Sequence, residues 1–384
     1  MAGAAIASKL GSMEASIRGG ARERMLVQAA AGGDERAFQE LVDAYRGELH
    51  AHCYRMLGSS YDADDALQDA LLRAWRALGK FEGRSSLRSW LYRIATNTCL
   101  DVIAKRPKRV LPIDYGPPAD PHEGPTLPLA ESVWVEPYAN EPLGLPEGLS
   151  APDARYEQRE AVELAFVAAL QHLPANQRAA LILREVLGFS AKEVAEILDA
   201  SVAAVNSALQ RARKTVEERM PERTQQQTMR ALGDDGVRAV VDRYLDAWDR
   251  NDVEGVVAML TEDASFSMPP APYWYSGHAD LREWLPKGPL TGGWRWKHLP
   301  VVMANGQPAV PFYCWYEPEQ TYLAFALNVL TLRGDRISDV VAFIARDTSS
   351  QDPEAYVRWP EEPLVRRKFQ DFFGRFGLPE TIEG

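Results

Sequence analysis

Residues 201–214, SVAAVNSALQRARK, carry Ser201, Val202, Asn206, Ser207, Gln210, Arg211, Arg213 and Lys214, side chains able to address DNA in two ways. Amides and hydroxyls bond base edges in a major groove, while Arg and Lys bond the flanking phosphates. A second group, Arg84, Ser85, Ser86, Arg88, Trp90, Arg93 and Asn97, interleaves an aromatic ring with cations and small polar groups. Such a surface suits single strands: a ring face stacks on an unpaired base for about 1–3 kcal/mol while Arg tracks the phosphates. The chemistry offered is recognition, not bond making. The plain alternatives are an ordinary solvated helix pair for the first group and a core Trp at a helix start for the second.

Both groups need helices to hold them. Ser190 can cap a helix with Val194, Ala195 and Leu198 facing inward; Asp199 and Ala200 turn the chain, and Ser201 caps a second helix with Val205, Leu209 and Ala212 inward. That is helix-turn-helix spacing. Upstream, a basic loop in residues 81–106 leads into an amphipathic helix, directly after DADDALQDALLRAW at 62–75. The acids Asp62, Asp64, Asp65 and Asp69 serve either the helix dipole or a docking face for a basic protein. Helical periodicity places Ala37, Leu41, Tyr45 and Leu49 on one face, and Leu67, Leu71, Ala74 and Leu78 on another. It recurs at Val162, Phe166, Ala169, Leu170 and Leu173, with a break at Pro174.

A chain of 384 residues, 46% hydrophobic and 25% charged, has room for several cores. Its net charge of −11 opposes nucleic-acid binding, but residues 84–109 hold seven basic side chains against Asp101 alone. Such a protein should bind free DNA poorly and need a partner to hold it there. Residues 110–152 contain ten prolines, seven acids and no Lys or Arg, which excludes a continuous helix or an independent core. After the polar run RTQQQT, residues 234–384 hold seven of the ten tryptophans and Val- and Phe-rich segments such as FALNVLTL, with turn signals at 305–306 and 333–335. No apolar run approaches the roughly 20 residues of a membrane span, and the start lacks a cleavable signal, so a cytoplasmic protein is expected. Cys53, Cys99 and Cys314 lie far apart, without the pairing of a zinc site.

The phrases DADDALQDALLRAW, SSLRSWLYRIATNTCLD, LPANQRAALILRE and VAAVNSALQRARK resemble promoter-binding regions two and four of sigma-70-type factors, in the extracytoplasmic-function branch, over about residues 30–220. The resemblance implies that the helix from Asp62 to Leu78, through Asp62, Asp65, Gln68, Asp69 and Leu72, grips the coiled coil of core RNA polymerase. It further implies that the Arg84–Asn97 group captures unpaired bases of the minus-10 element and that the Ser201–Lys214 helix reads the minus-35 element of promoter DNA. The linker would thread through the polymerase channel. Ala208 stands where many relatives carry Arg, removing a contact at minus-35.

Residues 237–270 resemble the opening of the SnoaL-like, NTF2-like cone, and the whole chain resembles sigma factors with that extension. Some cones bind ligands or act as enzymes through a carboxylate or His base. The candidates here are Asp263, His278 and His298, with Tyr244, Trp248, Met268 and Trp274 as the pocket lining together with His278; Tyr275, Trp284 and Trp296 are further lining candidates. The expected organisation is multidomain, two all-α domains plus an α+β cone. A disordered extension occupies 1–22, region two 23–109, the Pro-rich acidic linker 110–152, region four 153–222, the cone 234–350 and a tail 351–384. The reading is a sigma factor and not an enzyme, without cofactor or metal, modulated in cis by the cone. An anti-sigma factor or a small-molecule ligand is a further partner it allows, and no membrane is involved. The rival readings are a helix-turn-helix regulator with a ligand-sensing cone and a cone isomerase with a DNA-binding appendage.

Overall fold

The computed structural model describes residues 21–123, 129, 133–139, 159–345 and 366–384. The N-terminal extension up to residue 20, residues 140–158 and the first part of the expected tail lie outside the described residues.

A helix over residues 21–31 (α1) precedes α2 (Glu35–Leu57), which Asp34 caps by accepting from the amides of Arg36 and Ala37. Gly58, at φ 71°, ends α2 in the left-handed conformation that glycine adopts without strain. Ser59 caps α3 (Ser60–Ala77), and Ser86 caps α4 (Leu87–Ile103) by accepting from the Ser89 amide. Ala37, Leu41, Leu49, Leu67, Ala74 and Leu78 are buried between these helices; Tyr45 and Leu71 are half-buried. In the second block α5 (Leu164–Gln171) and α6 (Ala175–Leu181) meet at Pro174, and α6 runs on into a π-helical turn, Ile182–Val186. There follow α7 (Ala191–Ile197) and α8 (Val202–Glu217).

The C-terminal block opens with α9 (Gln225–Asp249), kinked at Gly233 (φ 70°, ψ 167°), and α10 (Val253–Ala258). Its strands are β1 (Leu260–Ser267), β2 (Trp274–Ser276), β3 (Trp296–His298), β4 (Val302–Ala304), β5 (Gln307–Tyr316), β6 (Thr321–Arg333), β7 (Arg336–Ile344) and β8 (Thr381–Ile382). Helix α11 (Gly277–Trp284) follows β2, and α12 (Arg366–Gly374) precedes β8. The sheet runs β2-β1-β7-β6-β5-β3, with β4 beside β5 and β8 beside β6; β1 and β7 are parallel and the other pairs antiparallel. The turn signals at 305–306 and 333–335 are the β4–β5 and β6–β7 connections.

One face of this sheet packs on α9, where Val237, Val241, Tyr244 and Trp248 meet Phe266, Phe312, Leu330 and Val340. The other face is equally apolar: Ala309, Leu327, Val329, Val341 and Phe343 belong to the same core as the two helical blocks. Burial of both faces accounts for the near-continuous apolar runs of β6 and β7. The polar run RTQQQT forms a buried seam at this contact. Thr224 and Gln227 make a capping box at the start of α9, while Gln225 and Gln226 are 3% and 1% exposed. Gln225 exchanges two hydrogen bonds with the Leu332 main chain (3.0 and 2.7 Å), and Gln226 Nε2 donates to Gly306 O at 2.7 Å. Burial of these amides is offset by such pairing, so a composition typical of linkers serves here as an interface. Among the described residues no helix is long and apolar enough to cross a membrane, and no group of three His, Cys, Asp or Glu side chains is placed to hold a metal ion.

Candidate nucleic-acid and polymerase interfaces

The helix-turn-helix is α7, a turn and α8. Ser190 and Glu193 close a capping box, Asp199 at φ 50° makes the turn, and Ser201 Oγ accepts from the Ala204 amide at 3.1 Å. Val194, Ala195, Val205, Leu209 and Ala212 are buried, whereas Leu198 is half-buried and Ile197 takes the inward place expected of it. Ser201, Val202, Asn206, Ser207, Gln210, Arg211, Arg213 and Lys214 are all exposed, giving one continuous polar and basic face. Arg213 also pairs with Glu185 of the π turn at 2.7 Å, which fixes the helix against the turn behind it.

The Arg84–Asn97 group is divided. Arg84, Arg93 and Asn97 are exposed, Arg84 paired with Glu82, while Ser86 spends its hydroxyl on the cap of α4. Ser85 and Trp90 are half-buried, Trp90 with its ring 5.1 Å from Phe81. Arg88 is half-buried and engaged by other parts of the protein: its guanidinium bonds Glu48 (3.1 Å), donates to Leu187 O (3.3 Å) and lies over the rings of Tyr92 and Phe189 at 5.0 and 4.6 Å. Ser89 Oγ donates to Glu193 at 3.3 Å. The start of the helix-turn-helix thus covers part of the surface that the sequence assigns to unpaired bases.

On α3, Asp65, Gln68, Asp69 and Leu72 are exposed on one face, and Leu72 is 47% exposed. Asp62 corrects the sequence reading. Its carboxylate is buried, paired with Arg106 and with Arg109 Nη2 at 2.7 Å, so it is an internal counter-ion rather than a docking group. The neighbouring Asp64 accepts from His50 and Arg375; burial alone would raise its carboxyl, but these hydrogen bonds outweigh it and hold it below the usual carboxylate range.

Sequence reasoning missed the polar node that unites the blocks. Residues 133–139 of the Pro-rich stretch are docked: Trp134, Val135 and Tyr138 are buried, and Tyr138 stacks on Tyr54 of α2 at 4.2 Å. Glu136 accepts from Ser59 Oγ (2.7 Å) and the Ser60 amide (3.0 Å), holding the segment to the start of α3. Asn305, in the β4–β5 turn at φ 54°, is fully buried. Its Nδ2 donates to Tyr54 Oη (2.7 Å) and Val162 O (2.8 Å), its Oδ1 accepts from the Tyr138 amide (2.9 Å), and its own amide donates to Tyr138 O (2.8 Å). Glu163 accepts from the amides of Gln225 (3.0 Å) and Gln226 (2.8 Å), and burial pushes its carboxyl up to about 7. The aromatic cluster VWVEPY inside an acidic Pro-rich stretch was the available signal for docking; nothing in the Asn-Gly dipeptide distinguishes a buried turn from a solvated one.

The five lining candidates of the cone take different surroundings. Tyr244 and Trp248 are core neighbours with ring centroids 5.9 Å apart. Trp274 bonds outward to Gly116 O at 2.9 Å, Met268 is half-buried, and His278 Nε2 lies 3.2 Å from Leu260 O. Among the other candidates Asp263 pairs with Arg333 on the surface (2.9 Å) and His298 contacts Asp249 (3.4 Å). Tyr275 stacks on Trp284 at 4.6 Å, and Trp296 lies edge-on to Phe325 at 4.9 Å.

Comparison with known proteins matches residues 41–109 to sigma-70 region 2, residues 163–216 to sigma-70 region 4 and residues 241–340 to the SnoaL-like domain. The ECF RNA polymerase sigma factor SigG of Mycobacterium tuberculosis is 40% identical over 359 residues, covering 91% of this chain and 86% of that one. The chain belongs to the extracytoplasmic-function sigma factors. Against the RNA polymerase sigma-H factor of Pseudomonas aeruginosa, this sigma factor is 31% identical over 196 residues, 51% of its own length and 92% of the relative's. The crystal structure of the Mycobacterium tuberculosis extracytoplasmic function sigma factor SigJ aligns with 83% of this sigma factor and 98% of that chain, at 22% identity and a TM-score of 0.48. This sigma factor is therefore a transcription initiation factor, with helical regions 2 and 4 followed by a helix-and-sheet domain.

Proposed function

We propose that the exposed α3 face of Asp65, Gln68, Asp69 and Leu72 docks core RNA polymerase, that Arg84, Arg88, Trp90, Arg93 and Asn97 capture the unpaired minus-10 bases, and that α8 reads the minus-35 element as duplex. The polymerase supplies the bond-making chemistry, and the cone, residues 234–350, acts as a restraint in cis. The domain limits follow the sequence reading, except that the 223–233 stretch acts as a seam and the segment from 366, which adds β8 to the sheet and buries Phe373, belongs with the cone rather than with a free tail. An anti-sigma factor remains a candidate further partner, acting on the same helical surfaces.

The observation that carries this reading is the engagement of Arg88. A guanidinium bonded to Glu48 and Leu187 O and stacked on Phe189 has most of its donors and one face already engaged, so full promoter capture by Arg88 is favoured when region 4 leaves region 2. The docked residues 133–139 and the Asn305 turn oppose that separation, because both must be released for the two regions to part. Aromatic residues of the cone fill its interior as core, and each candidate base has a partner elsewhere, which supports a restraint over a catalyst.

The test is run-off transcription with purified core polymerase and the full chain on a promoter library. Specific transcripts are expected. Absence of both transcripts and core binding would return the chain to the reading as a duplex-binding regulator.

A further inference from the structure

The chain after residue 365 reaches from the cone back to region 2. Phe373 is fully buried and lies edge-on to Tyr313 of β5 at 5.4 Å, while β8 pairs with β6 at Leu323 and Tyr322, so this segment is anchored on the cone. From that anchor Arg375 crosses to α3. Its guanidinium sits 3.9 Å from the centre of the Tyr61 ring, and Nη2 bonds Asp64 Oδ2 at 2.8 Å. The contact continues inward: Asp64 Oδ1 meets His50 Nε2 of α2 at 2.9 Å, and His50 Nδ1 meets the Tyr138 hydroxyl at 2.8 Å. One run of polar contacts therefore joins the C-terminal segment, α3, α2 and the docked linker.

Asp64 adjoins Asp65 and stands one turn before Gln68, beside the α3 face read as the polymerase dock. Between α2 and α3 lies a groove of about 1010 Å³, whose lining includes the apolar Phe38, Leu67 and Trp75, the acid Asp64 with Arg375, and Asp43 paired with Arg46 at 3.4 Å. An apolar floor with the Asp64 carboxylate at its edge suits a helix that carries an apolar stripe and a basic side chain. Arg375 already supplies such a charge from within the chain, and Asp64 is half-exposed, so a cation from outside can reach the same carboxylate.

We propose that Arg375 competes internally for the polymerase-docking surface, so that a basic helix of core polymerase takes Asp64 by displacing Arg375, and that the displacement loosens Tyr138 through His50. Docking on α3 then releases the tail and the linker together. Docking energy would be coupled to opening, in the sense that each event favours the other. The inference rests on the reading of α3 as the polymerase dock.

Two readouts on the full chain test it. In the first, Arg375→Ala should bind purified core polymerase about threefold to tenfold more tightly than wild type, and Arg375→Lys should stay near wild type, as expected when a partly buried cation contact is lost or kept. Equal or weaker binding by a folded Arg375→Ala overturns the competition. The second needs no polymerase: amide exchange over residues 133–139 should quicken in Arg375→Ala, and unchanged protection overturns the relay to Tyr138. If neither wild type nor variant binds core while exchange does quicken, the fault lies with the docking reading of α3, and the competition falls with it.

Discussion

Asn305 shows how much one side chain can hold. Its removal leaves the Tyr138 amide without an acceptor and takes from Val162 O its Asn305 donor in a site closed to water, while Tyr54 Oη keeps its bond to Glu136 O. Each such orphan costs about 1–3 kcal/mol, so Asn305→Ala should speed amide exchange in residues 133–139 by about 10²-fold or more; unchanged exchange would mean that the node does not hold the linker. Trp90 is half-buried against Phe81. If it also stacks on an unpaired base, Trp90→Ala should weaken open-complex formation by about 1–3 kcal/mol while closed binding is preserved. Permanganate footprints of equal strength in variant and wild type would refute that role. Glu163 supplies a pH dependence. Burial raises its carboxyl from an ordinary 4.5 to about 7, with Glu160 adding repulsion, so the docked state favours the protonated form. Stability from this group is full below pH 4.5 and is lost as pH rises toward 7, a change of order 3 kcal/mol. Exchange across residues 224–228 should therefore be slower at pH 5.5 than at pH 8 after correction for intrinsic rates, and the reverse order would contradict the assignment.

At the scale of elements, α8 was legible because its determinants are local: a Ser cap, a turn and inward residues at one-turn spacing. The same locality explains the small error at Leu198, where the end of a helix shifts the inward place to Ile197. Asp62 was misread because a carboxylate in a first helical turn looks alike whether it faces a partner or an internal cation, and Arg106 and Arg109 reach it only after α4 has turned the chain back. RTQQQT reads only as a polar run for a related reason, since polar composition reports exposure only when nothing packs over it. For α8 the account predicts distinct consequences for two exposed residues. Gln210→Ala should reduce discrimination at one minus-35 position by about 1–3 kcal/mol. Lys214→Ala should weaken binding for all sequences alike and lower the salt slope by about 1. Both are read by holoenzyme binding to a promoter series at several salt concentrations, and equal selectivity of Gln210→Ala and wild type would remove Gln210 from base reading.

For the whole molecule, the order of parts was legible from phrases that each lie within one helix or turn. Their packing was not, because it depends on contacts between residues far apart in the chain, such as Arg88 with Leu187 and Tyr138 with Asn305. The sheet's second apolar face could have warned that the cone packs on something, but a strand that is apolar throughout does not say on what. The resulting molecule holds region 4 against region 2, residues 133–139 against the cone and the C-terminal segment on α3, and on the proposed reading Arg88 is freed only on opening. The most direct measurement is run-off transcription from a cognate promoter, comparing wild type with Asn305→Ala at subsaturating core polymerase. A restraint in cis predicts specific transcripts from both, with severalfold more from Asn305→Ala. Equal yields from two folded proteins would contradict the restraint.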